Sequence, residues 1–132
     1  MSRTTAMRTV PGVGLGLFAW LAVATLGNLL LRQFLPGYRE VEASMNFTVP
    51  MQVGRLLLAV ASSAACGWVA ARIAGDAVRA PLISGLILLV FFVPVHLSMW
   101  ARFPLWYHLV FFISLPVVPP LAARLRSRSS VE

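Results

Sequence analysis

The chain has 132 residues and a mean hydropathy of +0.84, and 59% of its residues are hydrophobic while only 11% are charged. A soluble domain has about a quarter of its residues charged, so the composition excludes a soluble domain and predicts a membrane protein. The net charge of +7 comes from arginines that flank apolar runs, which favours contact with lipid headgroups and argues against nucleic acid as a partner. The single cysteine, Cys66, excludes an intrachain disulfide and a CxxC redox pair.

Four segments are long and apolar enough to cross a bilayer, which takes about 20 residues of helix. They lie at about residues 13–31, 51–73, 82–100 and 104–123. The sequence therefore predicts an all-α fold in a single domain, a four-helix transmembrane bundle with an antiparallel, up-down arrangement. An outer loop and a disordered basic tail are predicted at residues 33–50 and 124–132.

The distribution of the arginines predicts the orientation of this bundle. Seven lie on the side of the N-terminus: Arg3, Arg8, Arg72, Arg79, Arg124, Arg126 and Arg128. Four lie on the opposite side: Arg32, Arg39, Arg55 and Arg102. Because positive residues are retained on the cytoplasmic side, we expect a bacterial inner-membrane protein with both termini in the cytoplasm. The three arginines after residue 123 are then placed to bind anionic lipid headgroups.

Small residues predict where the helices pack, because close backbone approach drives helix association in lipid. In the second segment they recur every four residues, at Ser63, Gly67, Ala71 and Gly75. The first segment has Gly12 and Gly16 at GxxxG spacing, which is typical either of packing within the chain or of a homodimer contact. Asn28, a polar amide in the same segment, is expected to bond to a neighbouring helix. The bulkier third and fourth segments are expected to face lipid more.

Three features are predicted at the ends of the segments. Tyr38, Val41 and Met45 have the spacing of one helical face, which predicts a short helix on the outer surface. Pro119-Pro120 is expected to end the fourth helix early. An aromatic belt is predicted at the outer interface, formed by Trp100, Phe103, Trp106 and Tyr107.

His96 and His108 are the most suggestive pair of polar residues. Each lies six residues from Arg102, on either side of a tight hairpin, so both are expected at a similar depth. Two imidazoles at one level are suited to bind a metal or haem, or to hydrogen-bond a quinone. The alternative is a pair of interfacial histidines bonded to backbone carbonyls or water. The sequence implies no particular cofactor, and the metal is unknown.

Arg55 lies just inside the second segment, where its charge either extends to the headgroups or binds a partner. Glu40 and Glu42 are the carboxylates expected beside it. Because Arg55, Arg102 and the two histidines all fall on the outer side, they form a candidate ligand or cofactor cluster. No residue is predicted to be catalytic.

One part of the chain resembles known proteins. The segment Pro94-Val95-His96-Leu97-Ser98-Met99-Trp100, followed by Phe103-Pro104-Leu105-Trp106-Tyr107-His108, is similar to the C-terminal hairpin of small four-helix bacterial inner-membrane proteins without assigned function. The resemblance implies the fold and the membrane, but no catalytic residue.

Three functions agree with these patterns. The first is an accessory, assembly or regulatory subunit that acts through helix–helix contacts with a membrane-protein partner or with a second copy of itself. The second is a redox protein that binds haem, a metal or a quinone through His96 and His108. The third is a small transporter or channel, for which the helices offer only the hydroxyls of Ser62, Ser63 and Ser84 and no embedded carboxylate, unlike the small multidrug-resistance transporters.

Overall fold

The computed structural model describes the backbone of residues 3–129 and the side chains of residues 7–126. The chain forms helices α1 (Arg3–Phe34), α2 (Tyr38–Val41), α3 (Val49–Ala74), α4 (Arg79–Ser98) and α5 (Leu105–Ser129), with a 3₁₀ turn at Trp100–Arg102. Four of these are long and apolar enough to cross a membrane, over Met7–Phe34, Val49–Ala74, Arg79–Ser98 and Leu105–Arg126. The prediction of an all-α protein with four long apolar helices is therefore confirmed, and the helices extend into the polar flanks of the apolar runs.

Helix α3 is the most buried of the four and contacts each of the other three. In its most apolar stretch 44% of the residues are buried, against 33% in α4 and in α5 and only 17% in α1. The third and fourth segments are thus more exposed than the second, as expected, but less exposed than the first. Helix α1 is the most exposed because it packs mainly on α3 through one narrow face.

The glycines of α1 allow its close contact with α3. A Cβ atom at Gly12 would lie 2.9 Å from the carbonyl oxygen of Ala70, and one at Gly16 would lie 2.9 Å from that of Cys66. One turn further along α1, Trp20 donates its indole N–H to the hydroxyl of Ser63 at 3.1 Å. The GxxxG spacing is thus used within the chain.

Glycines also bring α5 close to α3 and α4. A methyl group at Gly67 would overlap the carbonyl oxygen of Pro119, and one at Gly85 would overlap that of Leu115. The expectation that Pro119-Pro120 ends the helix is wrong, since α5 continues through both residues to Ser129. A proline removes only its own backbone donor, and the carbonyl of Pro119 packs directly on Gly67.

Gly75 ends α3, and a Cβ atom there would lie 3.2 Å from Nη1 of Arg8 on α1. Gly75 adopts a positive φ of 71°, and its N–H bonds to the carbonyl of Ala71, which is itself buried. Arg8 of α1 donates from Nε to the carbonyl of Ile73 at 3.0 Å, so the start of α1 contacts the end of α3. We call this the terminal end of the bundle.

The prediction that the basic tail is disordered is wrong for its first residues, which lie at this end. Residues 124–129 continue helix α5, while residues 130–132 and the side chain of Arg128 lie outside the described part.

The opposite end, which we call the loop end, is where the connection after α1 contacts the connection after α4. Arg102 donates to the carbonyl of Ser44, and the rings of Phe47 and Phe103 stack with centroids 5.9 Å apart. Gln52 fixes the same connection by donating its side-chain N–H to the carbonyl of Phe47 at 3.3 Å.

The predicted surface helix in this connection is instead a single turn that packs inward. Tyr38 is completely buried, and Val41 and Met45 pack against the core. The prediction of an aromatic belt at the interface is wrong for Phe103 and Tyr107, because both are buried in the core. The two tryptophans of the belt, Trp100 and Trp106, are about two-fifths exposed.

Candidate ligand-binding site

Arg55 lies on the second turn of α3 and is held by two phenols. It donates from Nε to the hydroxyl of Tyr107 at 3.1 Å and from Nη1 to the hydroxyl of Tyr38 at 2.7 Å. Its guanidinium carbon lies 4.7 Å from the centre of the Phe47 ring. These contacts orient the guanidinium, but phenols carry no negative charge at neutral pH, so they leave its positive charge unneutralised.

The carboxylate nearest in this network, Glu42, is engaged elsewhere. Arg32 of α1 donates from Nε to Oε1 of Glu42 at 2.9 Å, and the same Nε lies 2.8 Å from Oε2 in an ion pair. Asn28 donates to the same carboxylate at 3.3 Å and accepts from the hydroxyl of Tyr38 at 2.9 Å. Of the two carboxylates expected beside Arg55, Glu42 is thus paired directly with Arg32 and interacts with the charge of Arg55 only at longer range. Asn28 bonds to the connection after α1 instead of to another long helix.

The Arg32–Glu42 pair predicts a pH dependence. The hydrogen bond from Arg32 holds the pKa of the Glu42 carboxyl below its ordinary value of 4.5. A lowered folded-state pKa stabilises the fold above the ordinary value, and the stabilisation is lost as the pH falls through the folded-state pKa. The gap in melting temperature between the wild type and Glu42→Gln should therefore be larger at pH 7 than at pH 3.5. An equal gap at both pH values would contradict the pairing, and Glu40→Gln, an exposed site, controls for net charge.

A cleft of about 380 Å³ opens beside Arg55. All four long helices line it, through Trp20, Leu21, Ala24, Thr25, Asn28, Leu29, Arg32, Arg55, Leu58, Ala59, Ser62, Phe92, Tyr107 and Phe111. Along α1, Asn28 and Arg32 lie two to three turns closer to the loop end than Trp20 does. The cleft therefore has a cationic, hydrogen-bonding end at Arg55 and an apolar, aromatic end. Its volume lies in the range of about 300–1,000 Å³ that small-ligand sites occupy.

His96 and His108 meet in the core between α4 and α5. Their Nδ1 atoms lie 2.7 Å apart, and both side chains are fully buried. Nε2 of His108 lies 3.1 Å from the carbonyl oxygen of Trp100, which can only accept, so Nε2 carries the hydrogen. In the neutral pair, Nδ1 of His108 is then the acceptor and Nδ1 of His96 the donor.

Aromatic rings enclose this pair. The Trp100 ring lies parallel to His108 with centroids 4.2 Å apart, and His96 contacts Phe111 and Phe112 with centroids 4.4 and 4.7 Å away. Three of the four ring nitrogens are occupied by the hydrogen bonds. The bond between the rings uses the lone pair of His108 Nδ1, so a metal could reach only that of His96 Nε2 without breaking it. The described residues contain no group of three His, Cys, Asp or Glu side chains that could hold a metal.

The structure thus brings together only part of the predicted cluster. The two histidines touch each other, and Tyr107 connects them to Arg55, because its ring stacks on His96 at 6.0 Å while its hydroxyl accepts from Arg55. Arg102 lies apart from them, on the Ser44 carbonyl. Sequence reasoning missed Tyr38 and Tyr107 as ligands of Arg55, although a phenol is a suitable neutral partner for an arginine at a helix end.

The fold and the site define the class of the protein, a helical membrane protein with four candidate spans and a polar network at its loop end. No protein-family model, curated protein or solved structure matches the chain.

Proposed function

We propose that the protein is a non-enzymatic accessory protein of a bacterial inner membrane, and that it binds one lipid with an anionic headgroup in the cleft beside Arg55. The observation that carries the proposal is the position of Arg55. Its guanidinium lies inside a membrane-spanning helix, its hydrogen-bond partners are neutral phenols, and the adjacent carboxylate is paired with Arg32. A cation at this depth is costly without a counter-charge, and a lipid phosphate supplies one in the geometry that a guanidinium prefers.

The orientation of the bundle belongs to the same proposal. An up-down, antiparallel arrangement with both termini in the cytoplasm puts the loop end, and therefore Arg55, in the outer leaflet. The excess of arginines at the other end supports it through the positive-inside rule. A lipid of the outer leaflet would then enter the cleft laterally, with its headgroup at Arg55 and one chain along Trp20, Phe92 and Phe111.

The accessory role follows from what such a lipid would touch. Helix α1 is largely exposed, and a chain in the cleft would fill the space between α1 and the aromatic side chains of α4 and α5. The bound lipid would therefore fix the position of α1, which presents most of its surface to other proteins or lipids. Regulation of a membrane partner through helix contacts is the function this geometry supports.

The two alternative functions have less support. A metal or haem ligated by both histidines would have to break the bond between the two rings, because the lone pair of His108 Nδ1 accepts from His96, and a quinone would find both N–H groups already donated. For a transport path, the hydroxyls of Ser62 and Ser84 bond to carbonyls of their own helices, and that of Ser63 accepts from Trp20.

The proposal is tested by thermal unfolding in detergent with added phosphatidylglycerol or phosphatidylcholine. At a hundredfold excess over its dissociation constant, a ligand of the folded state stabilises it by about 2.7 kcal/mol. We expect phosphatidylglycerol to raise the melting temperature of the wild type and of Arg39→Gln, which removes an exposed arginine of the same end. Arg55→Gln should lose most of the increase.

Because Arg55 also anchors Tyr38 and Tyr107, the variant Arg55→Lys provides a second measurement. It keeps the charge with fewer donors, and we expect an increase between those of the wild type and Arg55→Gln. The same increase in all four proteins would contradict the proposed site.

A further inference from the structure

A second cationic site lies near the terminal end of the bundle, around Trp68. This residue lies six residues before the end of α3, about 9 Å along the helix, and it is 42% exposed. Arg126 of α5 lies over the ring with its guanidinium carbon 4.7 Å from the ring centre. Arg72, one turn along α3, lies 5.7 Å from the same centre. Two cations from different helices thus converge on one indole.

The polar groups of this cluster have no counter-charge in the described part of the chain. Within residues 7–126, neither Arg72 nor Arg126 forms an ion pair, and the indole N–H of Trp68 has no hydrogen-bond partner. Asp76, an acidic residue of this end within the described part, accepts instead from the backbone N–H groups of Val78 and Arg79. Contact with the aromatic ring positions the guanidiniums but leaves both positive charges unneutralised.

We propose that Trp68, Arg72 and Arg126 bind the headgroup of a phospholipid with two phosphates, of the cardiolipin type. Two guanidiniums against one ring match two phosphates joined through one glycerol, and the indole N–H adds a donor for a phosphate or ester oxygen. Tryptophan at this distance from a helix end lies at headgroup level, and basic pockets between helices favour such headgroups. The site is separate from the Arg55 cleft, since it lies near the opposite end and on the outside of α3 and α5.

The test is native mass spectrometry of the protein titrated with cardiolipin and, separately, with phosphatidylcholine. Arg124→Gln is the matched control, because it removes the same charge from the same end of α5 while Arg124 lies in the groove with Val78 and Leu82 of the α4 side. We expect the wild type and Arg124→Gln to bind one cardiolipin with similar affinity, and Arg126→Gln to bind it about five- to tenfold more weakly.

Two further variants separate the explanations. Trp68→Phe keeps a ring for the guanidiniums but removes the indole donor, so it should weaken cardiolipin binding less than Arg126→Gln does. Arg55→Gln should leave it unchanged, which distinguishes this site from the proposed function. If Arg124→Gln and Arg126→Gln weaken cardiolipin binding equally, the effect is one of net charge and the proposal is wrong. Wild-type affinity in Arg126→Gln would also overturn it.

Discussion

Gly67→Ala should destabilise the bundle more than any other single methyl group added to α3. The new methyl would overlap the carbonyl oxygen and Cα of Pro119, which are backbone atoms of α5 and cannot rotate away. Overpacking of a core costs about 1–3 kcal/mol and occasionally more, and a clash between two helix backbones falls at the upper end of that range. The helices would have to separate, and the contact between α3 and α5 would be lost along its length.

The measurement is the unfolding midpoint in mixed dodecyl maltoside and SDS micelles, followed by tryptophan fluorescence. Gly14→Ala is the control, since a methyl there meets nothing within 4 Å and the residue lies in the same kind of helical backbone. We expect the free energy of unfolding of this control to stay within about 0.5 kcal/mol of that of the wild type. Equal midpoints for Gly67→Ala and Gly14→Ala would show that α3 and α5 do not pack as described.

Breaking the hydrogen bond between His96 and His108 is expected to cause the second largest loss of stability. The loss should differ between the two single variants. His96→Leu leaves one buried acceptor, Nδ1 of His108, without a donor. His108→Leu leaves the N–H of His96 and the carbonyl of Trp100 unpaired, and it also removes the ring that stacks on Trp100. An unpaired buried polar group costs about 1–3 kcal/mol, so His108→Leu should be the more destabilising of the two.

The double variant gives the sharper result. Removing both partners of a buried hydrogen bond is less harmful than removing one, so adding His96→Leu to His108→Leu should recover stability. Interhelical hydrogen bonds in membranes couple by about 0.6 kcal/mol on average, and up to about 1.7, which the same unfolding midpoints can resolve. Strictly additive losses would mean that the two rings do not share a hydrogen bond.

The four long helices could be predicted because the signal is local. A run of about 20 apolar residues is needed to cross the hydrocarbon, so a helix such as α3 can be predicted from its own sequence. The GxxxG spacing of Gly12 and Gly16 also indicated a packing face, although only the structure shows that this face contacts Ala70 and Cys66 of the same chain.

The site was less predictable because its geometry depends on residues far apart in the sequence. Arg55 could be recognised as a cation near a helix end, but its partners Tyr38 and Tyr107 come from a folded connection and from α5. Interfacial placement was inferred for Tyr38 from its helical spacing and for Tyr107 from the aromatic belt, whereas both are buried and accept a hydrogen bond from Arg55. The equal depth of His96 and His108 was predictable from their spacing around the hairpin, but the direction of their rings was not.

The central claim is that Arg55 holds an anionic lipid, and native mass spectrometry of protein released directly from its membrane with bound lipids tests it most directly. We predict that the wild type and Arg39→Gln retain one more anionic lipid per chain than Arg55→Gln does, with the lipid identified by its fragment masses. If Arg55→Gln retains the same number and kind of lipids as the wild type, the cleft beside Arg55 is not an anionic-lipid site and the proposed function is wrong.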